Sequence, residues 1–248
     1  MFTTEFYTSS VASGALNQVT SLYSGVTTTL QSGFACPLLN QLGAVYVVAL
    51  TAQRAQIQSP SLRVKPYPDY VPINVGAGLF ESPVRGADLM AHPIPLAYGE
   101  EIDMFAKVGT THVVYGMVNF CDGPAVPPPL PGMFTVHATA AVTLTAGAFT
   151  TVALTLDQAL PAGLYSLVGA RVYSATAVFF KVLPTGGPLW QPGGIGVQAY
   201  DGLTPERQRY GGWGEWLRFQ QNVLPSISLF ATAADTAEEA WLDLVKIG

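Results

Sequence analysis

Two groups of carboxylates are the residues best suited to chemistry in this sequence. Glu100, Glu101 and Asp103 cluster in the first half, and Glu206 and Glu215 stand in the second. A pair of carboxylates can serve glycoside or amide hydrolysis, one as acid and the other as base or nucleophile. Glu100 and Glu215, however, fall at equivalent places of the internal repeat described below. A residue type that recurs at one position of two modules reflects a turn or strand end more readily than an active site, which is normally unique. No catalytic residue is therefore assigned, and no enzymatic activity is expected.

Other site chemistry finds little support. His92, His112 and His137 are scattered, with no H-x-x-H, H-E-x-x-H or Cys/His cluster, so no metal site is expected. Cys36 and Cys121 have neither metal nor redox spacing; in a chain made in the cytoplasm they read as buried thiols. The G-x-S-x-G pattern of a serine nucleophile is absent. "QPGGIG" (Gln191–Gly196) lacks the phosphate-loop pattern and follows no βα unit, so Gly193 and Gly194 are expected to supply positive φ in a loop between strands. No cofactor is expected. Tyr67, Tyr70, Trp190, Trp213 and Trp216 could form a sugar-stacking platform; equally, Trp190 and Trp216 could fill a core or an interface. The arginines of "PERQRYGG" (Pro205–Gly212) suit carboxylates of a neighbouring subunit better than nucleic acid. A net charge of −5 without a basic stripe argues against direct nucleic-acid binding.

The elements that must position these residues are written in an unusual composition. Only 11% of the residues are charged, where roughly 25% is usual for a soluble domain. Hydrophobic residues make up 49%, and mean hydropathy is +0.33. Either a β-rich surface is built from Thr, Ser and Gln, or other subunits cover much of it; the second is the better account. The longest apolar run, "GAVYVVALTA" (Gly43–Ala52), is well short of the roughly 20 residues that span a bilayer. The N-terminus lacks Lys, Arg and a continuous apolar stretch, so no secretory leader is expected.

Glu5 is the one charged side chain before Arg54. Val11, Ala15, Val19 and Leu22 recur at helical spacing behind Ser9 or Ser10, which predicts a short amphipathic helix over about 10–23. From Val26 onward the texture is β, with strong strands in "AVYVVALTA", "HVVYGMVNF", "FTVHATAAVTL" and "TTVALTL". "DGPAVPPPLPG" (Asp122–Gly132) reads as a mid-chain linker, because its prolines cannot donate to a sheet ladder. "DTAEEAWLDLVKIG" predicts a C-terminal helix, with Asp235 at the N-cap, Glu238 at N3, and Trp241, Leu244 and Val245 on one face.

The halves on either side of the linker resemble one another. Setting Gln53 against Arg171 brings Arg63 to Lys181, Val64 to Val182 and Pro66 to Pro184. A small insertion then brings Pro72 to Pro192 and Gly76 to Gly196. Upstream, Tyr46 meets Tyr165; downstream, Gly99–Glu100 meets Gly214–Glu215, and "HVVYGMV" falls against "SISLFAT". Individual identities are few, but their collinear order indicates a tandem duplication. Each copy holds about eight strand-sized segments, as a β-sandwich requires. The fold class expected is all-β: two tandem jelly-roll β-sandwiches with short N- and C-terminal helices. The boundaries are an N-terminal arm at 1–25, a first jelly roll at 26–123, a Pro-rich linker at 124–133, a second jelly roll at 134–233 and a C-terminal helix at 234–248.

The duplicated sandwich, the Pro linker, the uncharged arm and "LPAGLYSLVGARVYSATAVFFKVLP" together resemble the double jelly-roll major capsid proteins of the tectivirus, corticovirus and adenovirus lineage. The similarity covers about 26–233 and is one of pattern, without a diagnostic short motif. It implies a coat protein of an icosahedral virus or phage, made in the host cytoplasm and located in the virion. Three chains would form a homotrimeric, pseudo-hexagonal tile. Its partners would be neighbouring capsomers, penton or minor capsid proteins, and an internal viral membrane reached through the N-terminal arm. Few long insertions separate the strands, so outer towers are not expected. The alternative is a double-sandwich carbohydrate-active protein, either a glycan-binding module pair or a hydrolase resembling an N-glycan amidase.

Overall fold

The computed structural model describes residues 2–20, 22, 41–49, 52–58, 70–73, 75–77, 87–88, 94–95, 103–121, 132–185, 191–195, 210–211 and 215–248. Every regular element among them is a β-strand, and the strands form four sheets. None of the described elements is a helix able to cross a membrane. The chain divides into two compact units: Glu5–Pro124, and Met1–Thr4 together with Ala125–Gly248.

The first unit contains β1 (Phe2–Val11), β2 (Asn17–Val19), β3 (Gln41–Ala49), β4 (Ala52–Gln58) and β5 (Tyr70–Ile73). It continues with β6 (Val75–Ala77), β7 (Ala87–Asp88), β8 (Ile94–Pro95), β9 (Asp103–Val108) and β10 (His112–Cys121). One sheet runs β1-β10-β3-β6, with β7 and β8 also on β3; the other runs β2-β9-β4-β5. Strand β9 shows why the sequence folds this way. Met104, Ala106 and Val108 are fully buried while Phe105 and Lys107 are partly exposed, the period-2 pattern of a strand with one covered face.

The second unit contains β11 (Met133–Ala140), β12 (Phe149–Val152), β13 (Thr155–Leu156), β14 (Leu164–Tyr173) and β15 (Ala177–Leu183). It is completed by β16 (Gly193–Ile195), β17 (Tyr210–Gly211), β18 (Leu217–Gln220), β19 (Ser226–Ala231) and β20 (Glu238–Lys246). Its larger sheet runs β13-β11-β20-β14-β17, with β18 also on β14; the smaller runs β12-β19-β15-β16. Ala170, Val172, Leu242 and Leu244 of the larger sheet are buried, as are Val152, Phe180, Ile227 and Leu229 of the smaller. Residues 2–4 of β1 also belong to this unit: the Thr4 amide donates to Gln191 O (3.0 Å), and Thr4 Oγ1 accepts from the Gly193 amide (2.9 Å).

The two units share one strand order and several irregularities, although β6 pairs β3 in parallel where β17 pairs β14 antiparallel, and β13 has no counterpart among the described residues. In β3 the ladder to β10 skips Gly43, and in β14 the ladder to β20 skips Val168. In β4 and β15 the ladders to β9 and β19 skip Gln53 and Val178. Gly14 and Gly147 both have positive φ, and their amides donate to Val108 O and Ala231 O. These matches correct the alignment read from sequence. Gln53 corresponds to Val178 and not to Arg171, and β10 corresponds to β20 and not to β19. Asn119 therefore matches Asp243, and Val114 matches Glu238. Side-chain identity points to the wrong register; bulges, which re-aim a strand and so constrain its backbone, preserve the true one.

Both expected helices are absent from the described residues. Over 10–23 the chain instead ends β1, turns at Gly14 (φ +87°) and forms β2. Val11 and Val19 are buried, but Ala15 of the expected apolar stripe is exposed. The segment has no i,i+4 charge pairs to support a helix, and Gly14 in its middle takes a positive φ that interrupts one, so pairing with the sheet wins. The N-terminal arm expected at 1–25 is thereby left without its helix among the described residues. At the other end, β20 is a central strand between β11 and β14. Ala240, Leu242 and Leu244 form a buried period-2 row, although Asp243 and Val245 of the other face are buried too, and the sheet selects that period over the helical one. Of the Pro-rich linker at 124–133, residues 124–131 lie outside the described residues.

Candidate functional site

The carboxylates singled out in the sequence do not form a described pair. Glu215 accepts from Ser166 Oγ (2.8 Å) and from Arg218 Nε (2.8 and 2.9 Å), so both oxygens are occupied by structural partners. Asp103 begins β9, while Glu100, Glu101 and Glu206 lie outside the described residues. Trp216 is 1% exposed, and its amide donates to Leu167 O (2.8 Å); it belongs to the core and cannot offer a stacking face. Tyr70 starts β5; Tyr67, Trp190 and Trp213 lie outside the described residues, as do Cys36 and His92. His112 begins β10 and Cys121 ends it. Gly193 and Gly194 pair with Lys181 and Phe180 as part of β16, so they are strand residues rather than a positive-φ loop. Of "PERQRYGG", Tyr210 and Gly211 are described: they form β17 opposite Ala170 and Gly169.

Chemistry-bearing side chains do converge on the larger sheet of the second unit. The register aligns His137 of β11 with Trp241 of β20, and Trp241 with Arg171 of β14. His137 Nδ1 lies 2.5 Å from Asp157 Oδ2, and Nε2 lies 3.6 Å from Glu239 Oε2. The His137 ring is 4.9 Å from that of Trp241, and Arg171 Cζ sits 5.9 Å from the same indole. Two residues along, Thr135 Oγ1 donates to the buried Asp243 (2.6 Å). An Asp-oriented imidazole is half of a nucleophilic site, but among the described residues no hydroxyl or thiol hydrogen-bonds His137. No described group of three or more His, Cys, Asp or Glu could hold a metal ion. The cluster is a mixed-charge strip on one sheet face, half-buried at His137 and Trp241 and buried at Arg171 and Asp243. Four separate chain segments build it, so spacing in the sequence could not reveal it.

A second polar centre closes one end of the same unit. Asp235 Oδ2 accepts from Ser174 Oγ (3.0 Å) and the Ala175 amide (2.9 Å), and Oδ1 accepts from the Thr236 amide (2.8 Å). Ser174 Oγ in turn accepts from the amides of Thr176 (3.2 Å) and Ala177 (3.0 Å). The Asp235 carbonyl accepts from the Leu144 amide (2.9 Å). Burial works to raise the Asp235 pKa, but hydrogen bonds from Thr236, Ser174, Ala175 and Ala237 outweigh it and hold the carboxyl below its ordinary range. Glu238 is 2% exposed, and no other residue hydrogen-bonds either carboxyl oxygen. Burial, and then the charge of Asp235, push it up to about 7 against a smaller lowering by its own backbone amide.

No family model matches the sequence, and no curated protein does. Among solved structures, that of the major capsid protein P2 from Bacteriophage PM2 matches 100% of this chain and 98% of its own. The TM-score is 0.29 and the sequence identity 10%. A likeness this low carries no weight for fold or function.

Proposed function

We propose that this chain is a structural coat protein of an icosahedral virus or phage, without enzymatic activity, whose two units are jelly rolls. Support comes above all from the strand order the units share. With the short edge strand β13 set aside, eight successive strand positions can be counted in each unit: one sheet takes the first, eighth, third and sixth, and the other the second, seventh, fourth and fifth. In the first unit β7 and β8 fill the sixth position antiparallel to β3, with β6 beside them paired in parallel; in the second β17 and β18 fill it antiparallel to β14. That order supports reading each unit as the double Greek-key winding of a jelly roll. The domain boundaries are then a first roll through about residue 123 and a second from about 134. Residues 234–248 join the second roll as its eighth strand.

Two jelly rolls in one chain with 11% charged residues suit a protein whose sides are covered by copies of itself. The resemblance noted in the sequence implies homotrimers with six rolls, packed edge to edge with neighbouring capsomers and closed by symmetry. Penton or minor coat proteins would fill the remaining positions of the shell. Sedimentation of the purified protein tests this. A species three times the 26.2 kDa chain, or larger shell-like particles, is the expected result. A stable monomer that binds glycan would overturn it.

A further inference from the structure

Glu238 is the one buried carboxylate of the described β20 row facing the core, where it precedes Ala240, Leu242 and Leu244. The matched position of the first unit is Val114, also fully buried. A carboxylate that no other residue hydrogen-bonds is costly in such a place, so the site suits a neutral side chain. The register sets Ala140 of β11 across from Glu238. On the β14 side Tyr173 pairs with Glu239, which leaves Ser174 beside Glu238. The smaller sheet ends there in Ala177 and Ala231. None of these four side chains is charged. Glu239 and Arg171 belong to the opposite face by alternation. The charged neighbour is Asp235, which ties together the turn at 174–177, the loop at 232–237 and Leu144.

We propose that Glu238 is a proton-operated switch at this end of the second unit. Neutral, it completes the core row and leaves the hydrogen bonds of Asp235 intact. Ionised, it adds an unpaired buried charge beside a second carboxylate, which loosens the joint between the 174–177 turn and the 232–237 loop. Solvent then reaches the carboxylate, and the charge is relieved by local opening instead of global unfolding. The change is set near neutrality by the raised proton affinity that burial and Asp235 impose. It depends on no assembly partner.

Amide hydrogen exchange on the full chain between pH 5 and 8, corrected for intrinsic exchange, tests the switch. The opening constant for the amides of Ala175, Thr176, Ala177 and Thr236 should rise by up to about tenfold per pH unit below neutrality, then level off. Amides of β9 in the first unit serve as an internal reference and should not follow. In Glu238→Gln, which keeps the shape without the ionisation, the rise should vanish. Glu238→Val, with the residue of the matched position, should behave in the same way and supplies the comparison if the amide variant folds poorly. Carboxyl carbon NMR on the unmodified chain gives a reading that needs no variant. A Glu238 midpoint near the ordinary 4.5 would overturn the switch. So would an unchanged opening constant between pH 5 and 8, or a rise that persists in both variants.

Discussion

The carboxyl of Glu238 stands where the first unit has Val114, and its raised pKa makes it one of two groups that tie stability of the second unit to pH. Below 4.5 the group is protonated in folded and unfolded chains alike and has no effect. As pH rises from 4.5 to about 7, the unfolded chain loses its proton first, so stability falls through that window and then levels off. The loss is on the order of 3 kcal/mol. Asp235 acts in the opposite sense: its depressed pKa adds stability above the ordinary 3.8, which is lost as pH falls through the lower folded value. Denaturant titration at pH 8 should therefore find Glu238→Val more stable than the unmodified chain, with the advantage gone by pH 4.5. Equal stabilities at pH 8 would refute the assignment. The local pattern pairs Asp235 with Glu238 correctly, but as a helix cap. Asp235 does accept amide hydrogen bonds, from a turn sixty residues away as well as from its own loop. The distant partner is supplied by the β14–β20 register, which no local pattern records.

At the scale of elements, β20 and the Gly14 turn carry the clearest lessons. The segment 238–246 fits a helical stripe at Trp241, Leu244 and Val245 and also a strand row at Ala240, Leu242 and Leu244. Central placement between two strands decides for the row, because both edges of β20 are then hydrogen-bonded. Leu242 is fully buried there, so Leu242→Ala should cost about 2–5 kcal/mol in urea-induced unfolding of the second unit. A helical β20 segment outside the core would give a far smaller loss. Gly14 and Gly147 occupy the same turn of the two units, with φ of +87° and +73°, and a Cβ added at either would meet nothing within 4 Å. Alanine at each should cost about 1–2 kcal/mol through backbone conformation alone, and by similar amounts at the two sites. Unequal costs would show that the matched turns are not mechanically equivalent. Strands β10 and β11 were legible in "HVVYGMVNF" and "FTVHATAAVTL", whose β-branched and aromatic residues favour a pleated strand; the N-terminal segment was not, since its sparse apolar residues satisfy both periods.

For the whole molecule, scarcity of charge makes its own prediction about assembly. If copies associate through apolar and Thr/Ser-rich sides, the oligomer should persist when salt is raised to about 0.5 M, where exposed ion pairs are screened. Dissociation on adding salt, seen by sedimentation, would point instead to charged contacts. The repeat itself was readable in the sequence, because two halves of like texture flank a proline-rich segment. Its register was not, because residues such as Lys181 and Arg63 match by type while the backbone equivalence runs through Val178 and Gln53. By itself the sequence determined an all-β chain with two halves and little charge, since composition and period-2 alternation are local properties. Tertiary structure alone decided that both terminal segments are strands and that Glu238 meets a core row. It likewise decided that His137, Asp157, Trp241 and Arg171 share one sheet face. Each of those outcomes depends on which distant strand lies alongside, and pairing between remote segments is settled by the free energy of the whole sheet.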